Sequence, residues 1–305
     1  MSTRPEAPSA AQARPKTTVL SFAEKRRRGE PITVLTAYDY PTARIVDEAG
    51  VDAILVGDSL AMVVLGHPNT LSVSMEEMLH HARAVSRGSR SALLIGDMPF
   101  MSYQADPSEA VRNAGRFLQD AGMDAIKLEG GRTVVETVKA IVSAGIPVQG
   151  HIGLTPQSVN ALGGWRVQGR TATAARTLFD DALALQDAGC FSLVLESVPY
   201  RLASHITEHL AIPTIGIGAG PGTSGQVLVL HDVLGLYDRF TPKFAKRYAE
   251  LGEAIAAAVV AYRADVEGGR FPGREHSYAI PEEEWQAFLA TPGTRRGGPA
   301  EAKKR

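Results

Sequence analysis

Residues 121–150 read AGMDAIKLEGGRTVVETVKAIVSAGIPVQG, and the fold is decided in this stretch. Residues 125–128 form a short apolar β-type run, 133–144 carry the 3.6-residue period of a helix, and 147–150 form a second run. Between helix and second run stands Ala144-Gly145, where glycine accepts the left-handed conformation that stops a helix. The same signature recurs at Glu48-Ala49-Gly50, Asp120-Ala121-Gly122 and Asp187-Ala188-Gly189, each ahead of an apolar run. Strand–helix–strand units of this length require parallel strands joined by right-handed crossovers.

Working outward, further strands are predicted at 32–36, 53–56, 92–95, 192–195, 214–217 and 227–230, with helices such as 75–87, 107–121 and 172–188. Eight strands argue for a closed (β/α)8 TIM barrel over an open doubly wound sheet. Only 218–225 separates the last two runs, too little for a crossover helix of about ten residues. That link is therefore expected to be degenerate. After the last strand, 242–268 reads as one long helical segment and 271–290 as a looser extension rich in Pro and Glu. The predicted organisation is a disordered N-terminal tail over 1–16, a single barrel domain with C-terminal helical extension over 17–290, and a basic disordered tail over 291–305.

Among 305 residues, 32 Lys and Arg stand against 33 Asp and Glu, a net charge of −1, so the totals imply no basic face for nucleic acid. Forty-four per cent hydrophobic and 21 per cent charged residues make an ordinary globular balance. The single cysteine, Cys190, excludes an internal disulfide and a thiolate zinc cluster. It suits a reducing, cytoplasmic compartment. No stretch reads as a membrane-spanning helix, and residues 1–16 lack the apolar core of a secretory signal.

The chemistry collects at the strand ends. Apolar runs finish in Gly57-Asp58-Ser59, Gly96-Asp97, Lys127-Leu128-Glu129 and Leu195-Glu196. Barrel active sites lie at that C-terminal rim. Period-two alternation puts Lys127 and Glu129 on one face. One strand-end acid is an ordinary cap, but four in one mouth repel unless a cation or proton relieves them. Oxygen ligands without thiolates suit Mg2+ or another oxophilic divalent ion. His151 ends its strand at the same rim, where structural and catalytic roles both stay open. His80 and His81 lie in a helical run as surface or packing residues. The glycine string from Gly216 to Gly222 precedes a strand, so it is no dinucleotide loop. Lys25-Arg26-Arg27-Arg28 complements a helix C-terminus, and Cys190, at the opposite rim, reads as a buried inert thiol.

Eight phrases carry a family resemblance: TAYDYPTA, LVGDSLAMVVLGH, GDMPFMSY, IKLEGG, GHIGLTPQSVNALGGWRVQGR, LVLESVP, IGIGAG and HDVLGL. In that order and spacing, from about Thr33 to Ser277, the chain resembles the ketopantoate (3-methyl-2-oxobutanoate) hydroxymethyltransferase family. The resemblance implies a barrel of the phosphoenolpyruvate-binding type assembled as a homodecamer. It also implies transfer of a hydroxymethyl group from 5,10-methylenetetrahydrofolate to 3-methyl-2-oxobutanoate. The product is 2-dehydropantoate (ketopantoate), the first committed step of pantothenate and coenzyme A biosynthesis, made through a Mg2+-stabilised enolate. By resemblance, Asp58, Asp97 and Glu129 serve the metal, Ser59 and Lys127 hold the oxo acid with Asp58 and Asp97, and Glu196 is the catalytic base.

The chain departs from the family pattern at Ala61, Leu65 and Ser224, which bears on loop packing or donor affinity. Two rivals are a carbon–carbon lyase or phosphonate mutase on a related barrel, and a non-catalytic scaffold. Isocitrate-lyase-like chemistry wants a thiol at the mouth, and Cys190 is at the wrong end of its strand. A scaffold has no reason to keep mutually repelling carboxylates.

Overall fold

A computed structural model describes residues 14–240 and 242–292. Eight parallel strands close on themselves in sequence order: β1 (Ile32–Thr36), β2 (Ala53–Val56), β3 (Leu93–Asp97), β4 (Ala125–Glu129), β5 (Val148–Gly153), β6 (Ser192–Glu196), β7 (Thr214–Ile217) and β8 (Gly225–Leu228). Pairing of β1 with β8 seals the barrel. The helices are α1 (Val19–Arg28), α2 (Tyr40–Glu48), α3 (Leu60–Val63), α4 (Met75–Gly88), α5 (Pro107–Gln119), α6 (Val135–Ser143), α7 (Ala172–Asp187), α8 (Tyr200–His209), α9 (Leu230–Val233), α10 (Leu251–Glu267) and α11 (Glu282–Ala290). No helix lies between β7 and β8, as the short link required.

The predicted helix stops hold in detail. Gly50, Gly122, Gly145 and Gly189 all take positive φ, from 70° to 100°. Helix starts carry side-chain caps: Asp39 accepts from the Thr42 amide, and Ser74 with Glu77 forms a capping box on α4. Such a cap is worth about 1 kcal/mol.

Alternation then sorts the side chains. Ile32, Val34, Ala53, Leu55, Leu93, Ile95, Ala125, Val194, Ile215 and Val227 make one buried cluster, which Phe22 of α1 joins against Phe191. Both Ile32 and Phe191 stand at strand N-termini, so this cluster fills the lower barrel. Ile54, Val56, Leu94, Ile126, Leu128, Val148, Leu193 and Leu195 point outward into a second cluster with the helices. Asp97, Lys127, Glu129 and Glu196 occupy the next inward positions above the apolar layers. The barrel is oily below and charged above.

Boundaries shift from the sequence expectation in three places. Strands β3, β4, β5 and β6 run one to three residues further, carrying Asp97, Glu129, His151 and Glu196 into the ladder itself. Strand β8 begins and ends two residues earlier than expected. The long helix starts at Leu251, not at 242, because 242–250 is spent packing on the barrel: Tyr248 N donates to Val233 O, and Phe244 lies against Gly218. The tails assigned to 1–16 and 291–305 lie almost wholly outside the described residues. Residues 14–16 are docked, with Arg14 donating to Gly50 O and Val51 O, and Lys16 pairing with Asp124 at 2.7 Å.

The chain divides into two compact units, one through Glu250 and one from Leu251. Within the second, α10 is followed by a 3-10 turn at Arg274–His276 and by α11, and Trp285 stacks on Phe288 with centroids 5.4 Å apart.

Candidate active site

Register places the charged strand ends side by side. Asp97 is opposite Lys127, Glu129 opposite His151, and Gly153 opposite Glu196. The result is a continuous line across the barrel mouth. Asp58 N donates to Asp97 Oδ2 at 3.1 Å, and Lys127 Nζ donates to Asp97 Oδ1 at 2.6 Å. Lys127 Nζ is 3.9 Å from Glu129 Oε1, which is 3.3 Å from His151 Nδ1. His151 Nε2 lies 3.3 Å from Glu196 Oε2. Of the sequence-selected residues, Asp58, Asp97, Lys127, Glu129 and Glu196 all meet in this line. Ser59 lines the same cavity, its Oγ 2.8 Å from the Tyr38 hydroxyl.

Local backbone features set this geometry. Gly153 has φ +97°, and a Cβ there would stand 2.2 Å from Glu196 O, so the close approach of β5 to β6 requires glycine. Immediately after Glu196, Ser197 takes φ +50°, a left-handed turn costing a non-glycine residue about 1–2 kcal/mol. Strain beside a rim carboxylate is a familiar mark of a functional turn.

The electrostatics are those of a site short of cations. Burial, then Asp97 and Glu129, push the Asp58 carboxyl well above its ordinary value, which Lys127 and Gln157 only partly offset. Burial also raises Asp97, against the pull of Lys127. Burial opposes charge on Glu129, but His151, Lys127 and the Gln157 amide hold it below the usual range. Burial and Lys127 disfavour a charged His151; contact with Glu129 and Glu196 overcomes both and raises it to about 9. Lys127 is disfavoured by burial yet held above the ordinary lysine value by Asp97, Glu129 and Asp58.

A divalent cation fits this arrangement. Asp58 and Asp97 favour protons when no cation serves them. Glu129 Oε1 is buried with no hydrogen-bond partner, and every donor is a hard oxygen. A different group, His205, Glu208 and His209, gathers on the exposed face of α8 with ligand atoms within 4.8 Å of one another. It does not line the mouth, and imidazoles suit softer ions than Mg2+.

Sequence reasoning missed the support beneath the acids. Gln157 is buried, and its Nε2 donates to Asp58 Oδ2 at 3.0 Å and to Met98 O at 2.9 Å. Its backbone amide donates to Glu129 Oε2 at 3.0 Å. Tyr103 OH lies 2.8 Å from Gln157 Oε1 and 3.0 Å from both the amide and the carbonyl of Glu129. No local signal marks these residues, since their partners lie 26 to 99 positions away.

Of the departures from the family pattern, Ala61 adjoins this chemistry, its amide donating to Asp58 O at 2.9 Å, and Leu65 is 38% exposed. Ala61 is fully buried, and Ser224 lies at the far end of the barrel, where its Oγ accepts from Arg26. Arg26 also donates to Thr207 O and Leu210 O, so the basic run anchors α1 as well as complementing its C-terminus. His81 is part-buried with Nδ1 2.6 Å from Tyr38 O, a packing role, and Cys190 is buried below the strands' charged ends.

Comparison with known proteins agrees with the geometry. Among solved structures, phosphonopyruvate hydrolase in complex with oxalate and Mg2+ superposes with a TM-score of 0.58 at 14% identity, covering 90% of this chain and 98% of that one. A 2,3-dimethylmalate lyase of the PEP mutase/isocitrate lyase superfamily gives 0.54 at 21%, covering 90% of each. At those identities the likeness shows the fold alone, a closed barrel of eight parallel strands. The 3-methyl-2-oxobutanoate hydroxymethyltransferase of Syntrophobacter fumaroxidans is 60% identical over 87% of this chain and 92% of its own length. Those of Oleidesulfovibrio alaskensis and Acetivibrio thermocellus are 60% and 54% identical over 83% and 88% of this chain, and 88% and 94% of their own lengths. The family model for ketopantoate hydroxymethyltransferase matches residues 16–274. With its barrel, its mouth of carboxylates and these identities, the chain belongs to the ketopantoate hydroxymethyltransferase family.

Proposed function

We propose that the line of charged residues across the barrel mouth carries out hydroxymethyl transfer to 3-methyl-2-oxobutanoate, with Glu196 as the base. The transferase activity and its place in pantothenate biosynthesis come with the family. The finer assignments rest on the site. Asp58, Asp97 and Glu129 are the residues that would hold Mg2+. Held there, the ion would supply Lewis-acid chemistry to the keto group of the 2-oxo acid and so make the C3–H more acidic.

The chain's own residues do the rest. Lys127, buried beside Asp97, presents positive charge to the substrate carboxylate or the developing enolate oxygen. Ser59 contributes a hydroxyl at the cavity wall. Glu196 is the most exposed of the acids on the cavity floor: its side chain is 13% exposed, against 2% for Asp97 and Glu129, and Asp58 is 4% exposed. That difference carries the assignment, because a base must touch substrate while a ligand need only touch the ion. Glu196 takes the C3 proton, and the His151 imidazole lies 3.3 Å from its carboxylate, within ion-pairing distance. C3 then bonds to the one-carbon unit of 5,10-methylenetetrahydrofolate. The two C–N bonds of the methylene bridge break, water supplies the hydroxyl oxygen, and tetrahydrofolate leaves with one proton from water and the one held by Glu196 on its nitrogens.

Enolisation needs no folate, and that isolates the base. With Mg2+ in deuterated water, the protein exchanges the C3 proton of 3-methyl-2-oxobutanoate, followed by proton NMR of the isopropyl methine. Glu196→Gln binds metal and oxo acid yet exchanges ~10²-fold or more slowly. Exchange by the variant at the wild-type rate would refute the assignment.

The proposed setting is a cytoplasmic homodecamer. It rests on the family resemblance, and sedimentation tests the assembly. No helix among the described residues is long and apolar enough to cross a membrane.

A further inference from the structure

The mouth cavity holds more than an oxo acid needs. Its volume is about 820 Å3, in the upper part of the ~300–1,000 Å3 range that encloses drug-sized ligands. The floor is the line from Asp58 to Glu196. The wall above it has a different chemistry. Trp165 and Val167 come from the loop after β5, and Tyr237, Phe240 and Phe244 from the segment after α9. Trp165 and Phe240 are 50% and 61% exposed. The charged residues of this wall are Arg166, Arg239, Lys243 and Asp232, while the other described acids lining the cavity, Asp58, Asp97, Glu129 and Glu196, belong to the floor. Arg239 donates to Gly66 O at 2.9 Å. The side chains of Arg166 and Lys243 have no hydrogen bond or ion pair with another described residue.

This wall also accounts for part of the glycine string. Gly218 has φ +65°, and a Cβ there would stand 2.6 Å from the Phe244 ring. The glycine is the gap into which the segment carrying Tyr237, Phe240 and Phe244 settles.

We propose that this upper compartment is the seat of the folate donor. Its rings lie against Trp165, Phe240 and Phe244, and the carboxylates of its glutamate tail meet Arg166 and Lys243. The inference rests on the reading of the floor given above and adds the position and polarity of the second substrate. The orientation is forced. The transferable carbon bridges N5 and N10 at the ring end, so that end points inward to C3 of the oxo acid. The lower barrel is filled by Ile32, Val34, Leu93 and Ile95, so the donor enters from above and leaves its tail outward. Aromatic faces suit the rings, and guanidinium and ammonium groups suit the carboxylates. A cationic rim further implies a preference for longer, more negative tails.

Calorimetry on the Mg2+ and oxo-acid complex tests this, with tetrahydrofolate carrying one glutamate and five glutamates as the two probes. The wild-type protein binds the pentaglutamate more tightly, by about tenfold or more at low salt, and loses most of that margin at high salt. Each of Arg166→Glu and Lys243→Glu weakens binding by about tenfold, and the double variant loses the tail-length preference. Mg2+ and oxo-acid affinities, measured in the same variants, show that the floor is intact. If the double variant binds both probes with wild-type affinities and the same preference, the seat is wrong. Failure of the wild-type protein to exchange the C3 proton without folate would instead overturn the reading of the floor, so the two failures are distinguishable.

Discussion

Replacing Gln157 by methionine tests whether the buried amide beneath the acids sets the strength of the metal site. Methionine keeps the length of the side chain and removes its four hydrogen bonds: to Asp58 Oδ2 at 3.0 Å, Met98 O at 2.9 Å, Tyr103 OH at 2.8 Å and Gln104 Nε2 at 3.1 Å. The bond to Asp58 is charge-assisted and helps keep that carboxyl ionised against burial and its acidic neighbours. A bond of that kind is worth about 1.5–3 kcal/mol, which corresponds to roughly 10–150-fold in a dissociation constant. Losses of ~10–100-fold on removing an outer-sphere partner agree with this scale. Met98 O also loses its amide donor, costing about 1–3 kcal/mol of fold stability. Tyr103 OH keeps its contacts with Glu129. Titration calorimetry with Mg2+ at pH 7.5 reads the first effect and urea unfolding the second, with Ser158→Ala, an exposed neighbour, as control. A folded Gln157→Met protein that binds Mg2+ within about twofold of wild type would show that Asp58 needs no such support.

Gly153→Ala forces a side chain to φ +97° and 2.2 Å from Glu196 O, at a cost of about 1–3 kcal/mol in strain. The melting temperature should drop and C3-proton exchange should slow as β6 is displaced; wild-type exchange would show that the close approach does not matter. Asp47 accepts from Ser89 Oγ at 2.9 Å, Arg90 N at 3.0 Å, Ser91 N at 3.0 Å and Ala92 N at 2.6 Å. Burial opposes its charge, but these donors hold it below the ordinary aspartate value. Its stabilisation is therefore full above the unfolded value and is lost as pH falls through the lower folded one. Asp47→Asn should cost about 2–4 kcal/mol at pH 7, and in urea titrations the gap from wild type should close below about pH 4. A constant gap across that range would contradict the linkage. Burial raises the Cys190 thiol to about 12, so iodoacetamide at pH 8 should label the native protein ~10³-fold more slowly than free cysteine. Labelling at the free rate would mean that the thiol is accessible.

What the sequence determined by itself is what depends on neighbours along the chain. The Ala-Gly stops mark helix ends because a left-handed residue is needed wherever a helix breaks, and the breaks fell where the glycines stand. The period of two put Lys127 and Glu129 on one face, and they lie 3.9 Å apart. Strand-end acids were legible as a rim because parallel strands all deliver their C-termini to one side. Tertiary structure decided which of these groups meet. Barrel closure set Glu129 beside His151 and Glu196 beside Gly153, so that the His151 ring lies between two carboxylates, 3.3 Å from each. It brought Gln157 to Asp58 across 99 positions and delayed the long helix to Leu251, because residues 242–250 are engaged with the barrel, Phe244 against Gly218 and Tyr248 N on Val233 O. Periodicity records which way a side chain points, whereas its partners are chosen by strand register and loop packing, and no local pattern encodes those.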